Sequence, residues 1–238
     1  MNGVAIAFCL MPLLAPEAIF QQAASVPAQG ELKAGPVPEN LAANKRTAKP
    51  SKHADRILNI NFGSAPVNSP PRGVIGGPGD VWTLVDVRET DKLALPMANG
   101  RPTDVVLKLS ENDGEWGIPG PADVYHAYLY HNCRCVDLSV TLSYLPAGIY
   151  EAYIFAHGDA PDQNAAIEIQ SGGTTYTGQK TLNDGTHRYR DREYEAGNQY
   201  VKYTIEVKNG SPVVITSKHD GSTLSMFNAI QLKRLRVK

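Results

Sequence analysis

From Arg56 onward, apolar and polar residues alternate with a period of two. Val136, Leu138, Val140 and Leu142 alternate with Asp137, Ser139, Thr141 and Ser143. Val201, Tyr203, Ile205 and Val207 alternate in the same way with Lys202, Thr204, Glu206 and Lys208. Successive side chains of an extended strand point to opposite faces, so each run predicts a strand with one face in a core and one toward water. Leu58, Ile60 and Phe62, set between Asn59 and Asn61, read alike, as do Ala165, Ile167 and Ile169 against Glu168. Ile149 to Ala156 (IYEAYIFA) is apolar at nearly every position, which predicts a central strand covered on both faces. Turn residues punctuate the runs at Pro146-Ala147-Gly148, Gly172-Gly173, Asn209-Gly210 and Asp220-Gly221. Asn-Gly between two strand patterns predicts a tight hairpin joining Val201–Lys208 to Pro212–Lys218. No stretch carries the 3.6-residue apolar period of an amphipathic helix. About ten short strands with no helices between them predict an all-β fold, an antiparallel β-sandwich of the jelly-roll kind.

The N-terminal part reads differently. Val4 to Ala15 is a run of 12 apolar or uncharged residues, too short to cross a bilayer, which takes about 20. It fits the apolar region of a secretory signal peptide, with small residues for cleavage at Val26-Pro27-Ala28, although no Lys or Arg precedes it. Residues 1–28 are therefore expected to be a signal peptide, and the product secreted, periplasmic or on the cell surface, with no transmembrane segment in the mature chain. From Gln29 to Asp55 there is no Ile, Phe, Tyr or Trp. Such a stretch buries too little apolar area to offset the entropy of ordering it, so 29–55 is expected to be a flexible linker and 56–238 the folded module.

Charge narrows the partners. The 238 residues hold 23 Lys+Arg against 24 Asp+Glu, a net charge of −1. Nucleic-acid binding needs a clustered basic excess to displace counterions from phosphates, so no nucleic-acid partner is expected. Beyond Cys9, the cysteines are Cys133 and Cys135. Their spacing suits a free or locally paired structural thiol better than a redox site, and zinc would require further ligands beyond His131.

Several short motifs recur in a fixed order: Ile60-Asn61-Phe62-Gly63, Gly76-Gly77 leading to Asp80-Val81-Trp82, Glu115-Trp116-Gly117 and Tyr125-His126-Ala127-Tyr128-Leu129-Tyr130. Leu145-Pro146-Ala147-Gly148-Ile149-Tyr150, Tyr153-Ile154-Phe155-Ala156-His157-Gly158 with Asp162-Gln163-Asn164, and the closing Phe227-Asn228-Ala229-Ile230-Gln231-Leu232 complete the set. In this order, over about residues 57–232, the chain resembles the galactose-binding-like β-sandwich modules of secreted proteins from polysaccharide-degrading bacteria. The resemblance implies a carbohydrate-binding module, with a polysaccharide or cell-surface glycan as partner. Cys133-Arg134-Cys135 stands where a short glycine-type turn is the rule, and Lys233 to Lys238 extends past the usual end.

Stacking physics names the candidate residues. A pyranose presents an apolar C–H face that packs on an aromatic ring, and hydroxyls that need short polar partners. Trp82 and Trp116 are expected in Gly- and Pro-rich loops rather than in the alternating strands, and His126, Tyr128 and Tyr130 share one face of a predicted strand with Tyr125 beside them. His157, Asp162 and Asn164 lie just beyond the predicted central strand and would select hydroxyls, or offer oxygen to a structural calcium ion, the one cofactor these residues suggest. Each has a plainer reading: the aromatics as core, the polar group as a hydrogen-bonded strand exit. No nucleophile elbow, H-E-x-x-H motif or phosphate loop occurs, and Glu111, Asp113 and Glu115 read as a solvated turn. The expectation is a non-catalytic module. A structural or adhesion module with a protein partner, and a hydrolase with a spatially assembled Ser/His/Asp site, stand beside it.

Overall fold

The computed structural model describes residues 48–63, 72–87, 93–118, 123–186 and 193–236. The expected signal peptide, the linker up to residue 47 and most of the Arg188–Tyr194 run lie outside these residues.

The strands, in chain order, are β1 (Ile57–Phe62), β2 (Thr83–Val85), β3 (Leu93–Ala94), β4 (Val106–Leu109), β5 (Gly114–Gly117), β6 (Ala127–His131) and β7 (Leu138–Ser143). They continue with β8 (Gly148–Phe155), β9 (Ala165–Ser171), β10 (Thr174–Lys180), β11 (Tyr200–Val207), β12 (Val213–His219), β13 (Ser225–Phe227) and β14 (Ala229–Arg234). The helical element among the described residues is one 3-10 turn, Ala54–Arg56. The all-β expectation holds. A five-stranded sheet in the order β11-β8-β14-β1-β2 and a six-stranded sheet in the order β10-β9-β12-β7-β4-β3 are accompanied by a small sheet, β13-β6-β5. Pairing is antiparallel throughout except between β1 and β2.

The alternating runs behave as their period demands. Leu138, Val140 and Leu142 of β7 and Val213 and Ile215 of β12 turn inward to meet Ile205 and Val207 of β11 and Ile154 of β8 in one large core. β8 is apolar on both faces because both are covered. Tyr150, Ala152 and Ile154 join the main core, while Tyr153 and Phe155 pack into a second cluster with Tyr125, Tyr200 and Ala229.

The structure corrects the alternation at β1. All six of its residues are buried, and the two asparagines spend their amides on loop backbone. Asn61 Nδ2 donates to the carbonyls of Val124 (3.1 Å) and Asn228 (2.9 Å). Asn59 Nδ2 donates to the Val81 carbonyl, and its Oδ1 accepts from Gln231 Nε2 at 2.8 Å. A buried amide is tolerated where its hydrogen bonds are made, so a polar letter in a period-two run does not by itself mean water.

Two further expectations change. Asn209-Gly210 is a turn, with Gly210 at φ 74°, but it does not close a hairpin. β11 pairs with β8 while β12 pairs with β7 and β9, so the turn carries the chain from one sheet to the other. Gly172-Gly173 makes a true hairpin, both residues at positive φ between the paired β9 and β10. The linker ends earlier than Asp55, because the segment before β1 is tied down. Ser51 donates from its amide (2.5 Å) and its hydroxyl (2.7 Å) to the Asp80 carboxylate, and Ala54 is buried. These are few contacts of small residues, which composition alone does not reveal.

Candidate functional site

The C-terminal end of β8 is held by amides. Asn228, fully buried, accepts the His157 amide on Oδ1 (2.7 Å) and donates from Nδ2 to the Ala127 carbonyl (3.1 Å). His157 is itself buried, its Nδ1 2.8 Å from the Gly158 carbonyl. The loop that follows closes on itself through a bridge between His157 and Asn164 and through the Gly158 amide bonded to the Gln163 carbonyl at 2.8 Å. A Cβ on Gly158 would strike the Gln163 side chain, which explains the glycine. Asn164 anchors the far side. Its Nδ2 donates to the Thr181 carbonyl (3.1 Å) and to Asp220 (2.9 Å), and its Oδ1 accepts from Asn183 (2.9 Å). The Asn164 hydrogen bond, then the Lys180 ammonium at 2.9 Å, hold the Asp220 carboxyl below its usual pKa.

This loop presents Asp159 to Trp116. The indole N–H of Trp116 donates to Asp159 Oδ2 at 3.1 Å, and the residue is 53% exposed; among the described Phe, Tyr and Trp residues only Tyr144, which is away from this loop in sequence, is also exposed. Trp116 sits on β5, directly opposite Tyr128 of β6, with Gly114 opposite Tyr130. Paired residues share a face, so Trp116, Tyr128 and Tyr130 form one aromatic strip that runs from surface to core. The Tyr128 and Tyr130 rings are 6.0 Å apart. Tyr128 is buried, Tyr130 is half-buried and packs on the core, and Trp116 is the exposed end. Asp162, on the same loop as Asp159, is exposed.

The other expected residues are placed elsewhere or buried. Trp82 is half-buried against the second cluster and belongs to that packing rather than to the Trp116 strip. Tyr125 is buried at the centre of the same cluster and donates its hydroxyl to the Gln199 carbonyl. Burial therefore removes Tyr125, Tyr128, His157 and Asn164 from direct contact with a polymeric ligand and leaves them holding the site's shape. His126 rests against Gly63, its Nδ1 3.0 Å from the Asp123 carbonyl and its Nε2 buried without a hydrogen bond. Asp159 belongs to the polar group His157-Gly158-Asp159 that the sequence marks beyond the central strand, but no local pattern marks it as the partner of an indole 43 positions away.

The histidine rings have assigned neighbours. Nδ1 of His53 meets Arg56, that of His131 accepts the Cys133 amide, and that of His219 meets Asp137. Cys133 and Cys135 form a disulfide, which resolves the choice between free and paired thiol and withdraws both sulfurs from metal ligation. Among the described residues no group of three His, Cys, Asp or Glu side chains is placed to hold a metal ion. Nor is any helix among them long and apolar enough to cross a membrane.

No protein-family model matches the sequence, and no curated protein does. Solved structures align with parts of the chain at low identity. The Bacillus subtilis protein YxiM aligns over 76% of this chain and 40% of its own, with 16% identity and a TM-score of 0.40. Bacteroides uniformis β-glucuronidase 2 aligns over 77% of this chain and 18% of its own, at 12% identity and a TM-score of 0.43. A family 35 carbohydrate-binding module from Clostridium thermocellum aligns over 56% of this chain and 90% of its own, at 14% identity and a TM-score of 0.31. This chain thus spans less than half the length of the first two. Carbohydrate-binding modules and glycosidases both occur among these structures.

Proposed function

We propose that this chain binds carbohydrate without cleaving it, using Trp116 as the stacking surface and the Asp159–Asp162 loop as the polar selector. The exposed indole carries this reading. A tryptophan left 53% exposed forgoes most of the burial that normally stabilises it. Here it is also fixed in orientation by its N–H bond to Asp159. A ring held still loses little entropy when a sugar C–H face packs on it. Asp162 adds exposed carboxylate oxygens that accept from sugar hydroxyls. The buried amides of Asn164 and Asn228 keep the loop in place when water at the surface is exchanged for ligand. Affinity is expected to be weak, since one exposed ring and a short loop give a shallow, wet contact.

The test is a glycan array and an insoluble-polysaccharide pull-down with the full chain and its Trp116→Ala variant. Binding to a neutral glycan that disappears in the variant, with the melting temperature unchanged, supports the reading. Absence of any glycan binding, with calcium supplied, overturns it in favour of a structural or adhesion module.

A further inference from the structure

The opposite end of β8 is chemically unlike the Trp116 end. There the chain leaves the 3-10 turn, β14 ends and β8 begins, and a cavity of about 440 Å³ opens between them. This is within the ~300–1,000 Å³ range of small-molecule sites. Arg56, Arg101, Arg234 and Arg236 all line it, and Asp55 is the one carboxylate on its wall among the described residues. These arginines come from three segments: Arg56 from the 3-10 turn, Arg101 from the loop before β4, and Arg234 with Arg236 from the end of β14, so the fold brings two distant residues to a short basic run.

Their partners leave capacity unused. Arg234 donates to the Ala147 carbonyl, which fixes its direction. Arg56 is largely buried, with a side chain 19% exposed, and its Nε has no hydrogen-bond acceptor; the nearest carboxylate oxygen, on Asp55, is 3.9 Å away. Arg101 and Arg236 are exposed and make no ion pair. The floor is apolar: Leu145 and Tyr150 are buried, and the Tyr150 hydroxyl is committed to the Pro146 carbonyl at 2.7 Å. Like charges brought together repel, and a buried guanidinium N–H without an acceptor is costly. An oxyanion in the cavity relieves the repulsion, and the planar fork of arginine matches carboxylate and sulfate oxygens in pairs.

We propose that this cavity is a second binding site, distinct from the Trp116 surface, that takes the carboxylate or sulfate group of an acidic saccharide. The test is titration calorimetry at low salt with the full chain and three probes. They are tetragalacturonate, which carries carboxylates, a κ-carrageenan tetrasaccharide, which carries sulfate alone, and neutral cellotetraose. At least one anionic probe is expected to bind, and Arg101→Ala/Arg236→Ala to weaken it at least ~tenfold, the equivalent of ~1.4 kcal/mol. Both arginines are exposed and unpaired, so the fold is retained; Arg101→Lys/Arg236→Lys keeps the charge and loses the fork, and should show a smaller loss. Trp116→Ala should leave anion binding unchanged, which separates this site from the neutral-glycan surface. Binding of one anionic probe alone names the group as carboxylate or sulfate. If neither binds, or if the double alanine variant binds as the parent does, the proposal fails.

Discussion

The two ends of β8, a strand of eight residues, obey different chemistry. At the Phe155 end the buried amides of Asn164 and Asn228 are hydrogen-bonded through both their oxygen and their nitrogen, and an indole with carboxylates around it reaches the surface. At the Gly148 end the polar groups are guanidinium ions around an open cavity, only partly satisfied. A satisfied network gives rigidity, which suits a flat stacking surface. An unsatisfied cluster of one sign gives attraction at the expense of stability, which suits capture of a counter-charge.

The largest effect should come from breaking the amide clamp. Asn228→Ala strips the His157 amide and the Ala127 carbonyl of their partner inside the protein, and is expected to cost ~2–4 kcal/mol in chemical denaturation. A cost under ~1 kcal/mol would show that the end holds its shape without Asn228. Next is Trp116→Ala, expected to reduce neutral-glycan affinity at least ~tenfold while stability moves by less than ~0.5 kcal/mol, because the ring is exposed. A large loss of stability would make the tryptophan a packing residue and erase the contrast between the ends. At the basic end, Arg234→Met keeps the aliphatic stem but loses the bond to the Ala147 carbonyl, for ~1 kcal/mol of unfolding free energy.

The smallest effect concerns pH. Asp220→Asn removes the ion pair with Lys180, whose ammonium is well exposed, so less than ~1 kcal/mol is expected at neutral pH. The folded-state pKa of Asp220 is depressed, first by the Asn164 hydrogen bond and then by Lys180. Its contribution is therefore full above the unfolded value of about 3.9 and is lost as pH falls through the folded value. Melting temperatures of parent and variant should differ at pH 7 and converge in strong acid; a gap that persists there would refute the electrostatic origin.

How much of this could be read beforehand depends on range. Strands were legible because period two is local: β7 and β11 bury the residues that their alternation predicts. The sheet to which each strand belongs was not, since Asn209-Gly210 has the same letters whether it folds a hairpin or bridges two sheets. Asn59 and Asn61 looked solvated because nothing local shows that the segments before β2 and before β6 will lie over them. Trp116 stood out as an aromatic in a Gly-rich stretch expected to be a loop; that it lies instead on β5 follows from pairing with β6, which is not local. Tyr128 and Tyr130 are identical in type and differ in exposure, which no local pattern distinguishes. Arg234 and Arg236 are neighbours in the sequence, but Arg56 and Arg101 are too distant for any window to collect with them.

The pairing of the first and last strands has a mechanical meaning. Ile57 lies beside Lys233, so β1 begins where β14 ends and the two run antiparallel. Tension applied through the segments flanking the sandwich would pull both strands from the same side. That geometry loads the ladder one rung at a time, as in peeling tape, instead of shearing all rungs together. The Ser51–Asp80 tie lies ahead of the first rung. On the other strand the Leu235 amide, bonded to the Ile149 carbonyl at 2.8 Å, holds the corresponding place, so a pull on both flanks would load these few bonds before the core.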